Sequence, residues 1–153
     1  MKINVLILVA VVVGLTLAAS AGTISGQVSG VAGPSVVYVD AIAGKAFPAP
    51  TQHPVIDQKG LKFEPHVTAV QAGTTVDFLN SDSVAHNVFW ASIAGNKKLG
   101  HNLGTWPKGQ TMSHKFDAAG VEALSCNVHP EMSAYIVVAS TSYFTTSAHT
   151  GTD

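Results

Sequence analysis

The only cysteine of the chain, Cys126, is followed by His129 at the third position and Met132 at the sixth. A thiolate, an imidazole and a thioether are three of the donors of a blue-copper electron-transfer centre, which needs one imidazole more. His86, in the stretch 82–89, is the candidate for the second imidazole. Sulfur suits Cu(I) and imidazole suits Cu(II), so this set serves both oxidation states with little rearrangement. With its positions filled by protein, such a centre leaves little room for substrate and favours an electron carrier over a catalyst. Each residue also has a plainer reading. Cys126 could be an inert buried thiol, Met132 a core filler and Pro130 a simple turn residue. The combination outweighs them.

The four residues dictate what must position them. Side chains alternate along a strand, so Cys126 and His129 cannot face one centre from a straight strand. They can if a strand ends at Cys126, turns through Asn127 and Pro130, and resumes at Ser133. One loop then delivers Cys126, His129 and Met132, while His86 arrives from another strand. Asn87, next to His86, is placed to hydrogen-bond the cysteine sulfur through its backbone.

The rest of the chain supplies strands. Short alternating or β-rich runs occupy residues 23–31, 34–40, 67–71, 74–79, 84–90, 111–116, 121–126 and 134–139. Turn residues such as Gly33-Pro34, Ala72-Gly73, Lys108-Gly109 and Ala119-Gly120 separate most of them. This is the pattern of an all-β sandwich or barrel. Residues 41–63 carry three prolines and two glycines and read as a long excursion with little regular structure. Residues 141–153 are rich in serine and threonine and are expected to fray, with Tyr143 and Phe144 able to tack their start to the body.

The amino-terminal end reads as a signal peptide. Lys2 precedes an apolar run over residues 3–17, and Ala19-Ser20-Ala21 offers small residues for cleavage after Ala21. The run is shorter than the roughly 20 residues of a bilayer span. The expectation is an exported protein, periplasmic or extracellular, with no stable membrane insertion after cleavage. The formal charge is −1, arginine is absent and the lysines are scattered. A nucleic-acid partner, which would need a basic stripe, is therefore not expected. A leftover thiol is a liability outside the cytoplasm unless a metal occupies it.

The spacing of Cys126, His129 and Met132 resembles the cupredoxin (type 1 blue copper) family, its amicyanin-like and plastocyanin-like members most closely. The approach to His86 is similar too, from Phe63-Glu64-Pro65-His66-Val67 through Gly73, Phe78 and Asn80 to His86-Asn87-Val88-Phe89, as is Phe116 to Gly120 before the cysteine strand. The loop between His129 and Met132 agrees with amicyanin and is two residues shorter than that of plastocyanin. The resemblance covers residues 60–139. It implies a Greek-key β-sandwich, one type 1 copper ion held by His86, Cys126, His129 and Met132, and one-electron transfer outside the cytoplasm. It also implies a redox protein partner, a cytochrome or dehydrogenase, docking near His129 on a monomer. Pro130, Met132, Val88 and Trp90 are the expected apolar rim. Residues 22–59 would be an N-terminal extension packed on the sandwich, and residues 140–153 a flexible tail.

The rival functions are weaker. A periplasmic copper storage or delivery protein could use the same ligands. Nitrite reductases and multicopper oxidases need further copper ligands, and no His-x-His pair occurs. A Cys126–His129 hydrolase lacks a third orienting group, and a structural zinc site would not choose methionine. His53, His101, His114 and His149 are expected to be solvated, with spacings that match no compact second metal site. His66 is expected to be buried in the core or to support the ligands. Trp90 and Trp106 are expected to pack near the site.

Overall fold

The structure, a computed structural model, describes residues 22–31 and 33–147. The proposed signal peptide, the last residues of the tail and His149 lie outside them. Eleven strands follow in chain order: β1 Val36–Tyr38, β2 Val55–Gln58, β3 Phe63–Glu64, β4 Val67–Gln71, β5 Thr74–Asn80, β6 His86–Trp90, β7 His101–Trp106, β8 Thr111–Phe116, β9 Gly120–Ser125, β10 Ser133–Ala139 and β11 Phe144–Thr146. One 3₁₀ turn, Lys97–Leu99, precedes β7. No helix among the described residues is long and apolar enough to cross a membrane.

Nine of these strands form a sandwich of two sheets, ordered β4-β10-β9-β6-β7 and β3-β2-β5-β8, and β1 and β11 pair as a separate two-stranded sheet. The non-consecutive neighbours are the crossovers of a Greek key. Alternation explains the packing. Val76 and Phe78 of β5 face Leu124 of β9 and Ile136 and Val138 of β10, and all are buried. β9 and β10 pair from Val138↔Gly120 to Ser133↔Ser125. The seven residues between them are therefore a hairpin loop at one end of the core.

Four expectations are corrected. Residues 23–31 form no strand and most are exposed; of the residues that alternate onto one face, Ile24, Gly26, Val28 and Gly30, two are glycines with no side chain to bury. β2 lies inside the irregular excursion, paired in parallel with β5, so the sandwich begins before residue 60. β7 runs through a polar segment that showed no strand pattern. The tail is tied down as far as β11, which pairs with β1 from Val36↔Thr146 to Tyr38↔Phe144. Lys45 Nζ also donates to the Tyr143 hydroxyl at 2.9 Å.

One buried group is costly. Glu122 faces inward on β9 with no exposed surface, and neither carboxylate oxygen has a partner. Thr68 lies on the same row, beyond Ile136, and its hydroxyl is also unpartnered. Burial raises the Glu122 pKa from 4.5 to about 8. Below pH 4.5 folded and unfolded chains both carry the proton, and folding incurs no ionisation penalty. Between 4.5 and about 8 only the folded chain keeps it, so stability falls as pH rises, by up to about 1.4 kcal/mol per pH unit. Glu122→Met is expected to flatten this slope and to raise the melting temperature at pH 8, while matching wild type more closely near pH 5. Thermal unfolding across that range checks it; an unchanged slope would acquit Glu122.

Candidate metal centre

The β9–β10 loop and the start of β6 meet at the end of the sandwich. Cys126 follows the last residue of β9 and stays buried. The chain then turns, closed by a hydrogen bond from Met132 N–H to the His129 carbonyl at 3.0 Å. His86 opens β6 and is fully buried. One donor atom from each of His86, Cys126 and His129 lies within 4.8 Å of the other two. The two imidazoles meet through their Nδ1 atoms, 3.0 Å apart. Met132 is buried in the same apolar cluster as Cys126.

Local hydrogen bonds build this arrangement. β6 and β9 pair directly only at Phe89↔Ser125. One step further on, Asn87 N–H donates to Cys126 Sγ at 3.3 Å instead of to a carbonyl. The Asn87 side chain completes the join. Its Oδ1 accepts from Asn127 N–H at 3.3 Å, and its Nδ2 donates to the Asn102 side chain at 2.8 Å and the Gly104 carbonyl at 2.7 Å. The β6–β7 register shifts between Asn87 and Phe89. β7 carries an extra residue there, and Gly104 adopts φ 86°, a left-handed conformation that suits a bulge at glycine. The bulge aims the Gly104 carbonyl at Asn87.

His86 is oriented from its far side. Its Nε2 lies 2.9 Å from Asp82 Oδ2, which leaves Nδ1 free to face His129. Asp82 is itself held by the backbone N–H groups of Leu61 and Gly60. The Leu61 amide first, then the His86 ring, hold its carboxyl below the usual range. A carboxylate behind a ligand histidine fixes its tautomer and ring angle. Asp82 was visible only as an acid four residues before His86, in a loop with no periodicity to give it a role.

Other expectations change. Val88, Trp90 and Met132 are buried and cannot rim the site. The exposed apolar residues near it are Leu61, Val84, Val128 and Pro130. His66 is exposed; its Nδ1 lies 3.0 Å from the Ser133 carbonyl, at the start of β10. Trp106 is buried opposite His86 in the β6–β7 ladder, whereas Trp90 sits at the other end of β6. His53 is exposed beside Asp77, as expected.

The donor set fits copper better than zinc, since one thiolate, two imidazoles and a nearby thioether match the soft, trigonal preference. Comparison with known proteins agrees. The family of copper binding proteins described as plastocyanin/azurin matches residues 51–139, which takes in β2. Plastocyanin of Scenedesmus fuscus is 32% identical over 78 residues, covering 48% of this chain and 80% of its own. Amicyanin of Paracoccus denitrificans is 33% identical over 85 residues, covering 55% of this chain and 63% of its own. A solved amicyanin variant in the reduced Cu(I) form superposes with a TM-score of 0.52 at 27% identity, over 59% of this chain and 85% of that one. A copper-containing nitrite reductase from Thermus scotoductus shares the fold, with a TM-score of 0.53 at 23% identity over 67% of this chain and 25% of its own.

Asp82→Ala frees the back of the His86 ring. It is expected to weaken copper binding about 10–100-fold, the usual cost of losing such a partner. Competition against a chelator of known affinity checks it. Unchanged affinity would mean that Asp82 does not orient a ligand.

Proposed function

This chain belongs to the cupredoxins, the copper-binding plastocyanin/azurin family, and on that premise we propose that His86, Cys126, His129 and Met132 hold the single copper ion of an exported electron carrier. The observation that carries the ligand assignment is the convergence of His86, Cys126 and His129 donors within 4.8 Å at the end of a rigid sandwich. Bound copper supplies one-electron exchange between Cu(I) and Cu(II).

The residues divide the remaining work. Asp82 holds the His86 ring in one tautomer. The Asn87 N–H withdraws charge from the Cys126 sulfur and fixes its direction. Buried Met132 offers a weak thioether and helps keep water out. Of the three converging residues only His129 is partly exposed, so its ring edge is the short path for an electron to leave. Val128, 48% exposed beside it, gives a partner an apolar contact, with Pro130 and Val84 near. Redox encounters bury little area and must separate quickly, and such a face suits them. The small net charge leaves little long-range steering, so exchange should depend weakly on salt. Residues 1–21 act as the export signal in this reading, and a cytochrome or dehydrogenase as the partner.

The test combines two variants. Copper-loaded wild type should show an intense thiolate-to-copper absorption band, and Cys126→Ser should lack it. Val128→Lys should keep the band and slow electron self-exchange severalfold. A band that survives in Cys126→Ser would overturn the ligand assignment. Unaltered exchange in Val128→Lys would move the electron's exit to another face.

A further inference from the structure

His101 and His114 form a cluster that the copper centre does not use. β7 and β8 are edge strands of different sheets, and the two histidines meet where those edges close the sandwich. Their ring centroids are 4.7 Å apart and the planes are inclined by 35°. Both rest on the same aromatic floor. Trp90 lies 5.5 Å from His101 and 4.8 Å from His114, and Phe116 lies 4.9 Å from His114. Register explains the inward lean. His101 pairs with buried Trp90 and His114 with buried Val76, so both histidines stand on the core side of their strands. Gly100 lets β7 start there, because a Cβ at that position would run into the Ala91 carbonyl.

An apolar pair would close this edge more cheaply. Instead, two imidazoles lie tilted against each other and against aromatic rings, His114 in T-shaped contact with Trp90 and Phe116, and no hydrogen bond among the described residues occupies either ring. His101 remains exposed and His114 half-buried, so the pair can be reached from solvent. We propose that His101 and His114 are a second metal site, a two-imidazole chelate for a divalent late transition metal such as Cu(II), with water completing the coordination. Two tilted rings at this separation can converge on one ion, and imidazole suits Cu(II) and Zn(II), with Cu(II) the tighter. Burial first, then the neighbouring His101 ring, push the His114 pKa down, while Asp117 pulls it up. The net effect keeps the His114 lone pair available at pH values where a solvated histidine begins to protonate. The site is separate from the first. His101 pairs with Trp90, four residues along β6 from His86, or roughly 13 Å at the usual strand rise. Without sulfur, it would hold Cu(II) in a tetragonal field and give no blue band.

The test starts from protein loaded with one equivalent of copper and freed of excess. A second equivalent of Cu(II) is then added and followed by electron paramagnetic resonance. Wild type should develop a second, tetragonal Cu(II) signal with nitrogen splitting, at one ion per chain. His101→Gln and His114→Gln should each lose that signal and keep the first signal and the blue band. No second signal in wild type, or a signal that survives in both variants, overturns the site. Zn(II) added to wild-type Cu(I) protein gives a check that needs no variant. The imidazole resonances of His101 and His114 should shift together, and shifts confined to other histidines would overturn the proposal. The first signal reports separately on the copper centre, so the two assignments fail independently.

Discussion

The hydrogen bond from Asn87 N–H to the Cys126 sulfur is the contact on which the site depends. A buried strand amide must find an acceptor. In the β6–β9 ladder that acceptor would ordinarily be a carbonyl, and here it is the thiol of the residue that has just left β9. Satisfying the backbone therefore fixes the sulfur beside His86, the residue next to Asn87. The bulge in β7 and the Asn87 side chain serve the same join, since they brace the β6 end against the departing loop.

Both sheets contribute, although the converging residues belong to one. The loop 81–85 carries Asp82, and the second sheet anchors it. The N–H groups of Ser81 and Asp82 each donate to the Gln58 carbonyl of β2 at 3.1 Å. Asn80, buried at the end of β5, donates to the carbonyls of Val84 and Trp106. His86 is thus positioned by β6 from within its own sheet and by Asp82 from the other. Donors clamped from two sides have little freedom to move when the charge on an ion between them changes. A site for electron transfer needs that stiffness.

Legibility in the sequence followed the physics of each segment. β4 and β8 could be read to the residue, because each alternates between clear turn signals. β2 could not, since Val55–Gln58 is too short to show a period and its partner β5 lies parallel and distant in sequence. β7 was hidden because an exposed edge strand can be polar on both faces. Residues 23–31 alternate yet find no partner. The loop residues of the site announced themselves through a local spacing, and His86 through its flanking pattern. Asp82, Asn102 and Gly104 act through hydrogen bonds between segments, which no local pattern encodes. The His101–His114 stack is of the same kind, a contact between strands of different sheets. Val88 was expected at the rim because it follows the ligand region; its place on β6 points it into the core.

In the proposed centre one thiolate and two imidazoles hold the copper closely, and the Met132 thioether is a weak, longer fourth donor. X-ray absorption at the copper edge, on protein carrying one equivalent in each oxidation state, addresses this arrangement without a partner or a variant. One short copper–sulfur distance and two copper–nitrogen distances are expected, changing little between Cu(I) and Cu(II). A coordination shell of nitrogen and oxygen alone, or one that is rebuilt on reduction, would contradict it.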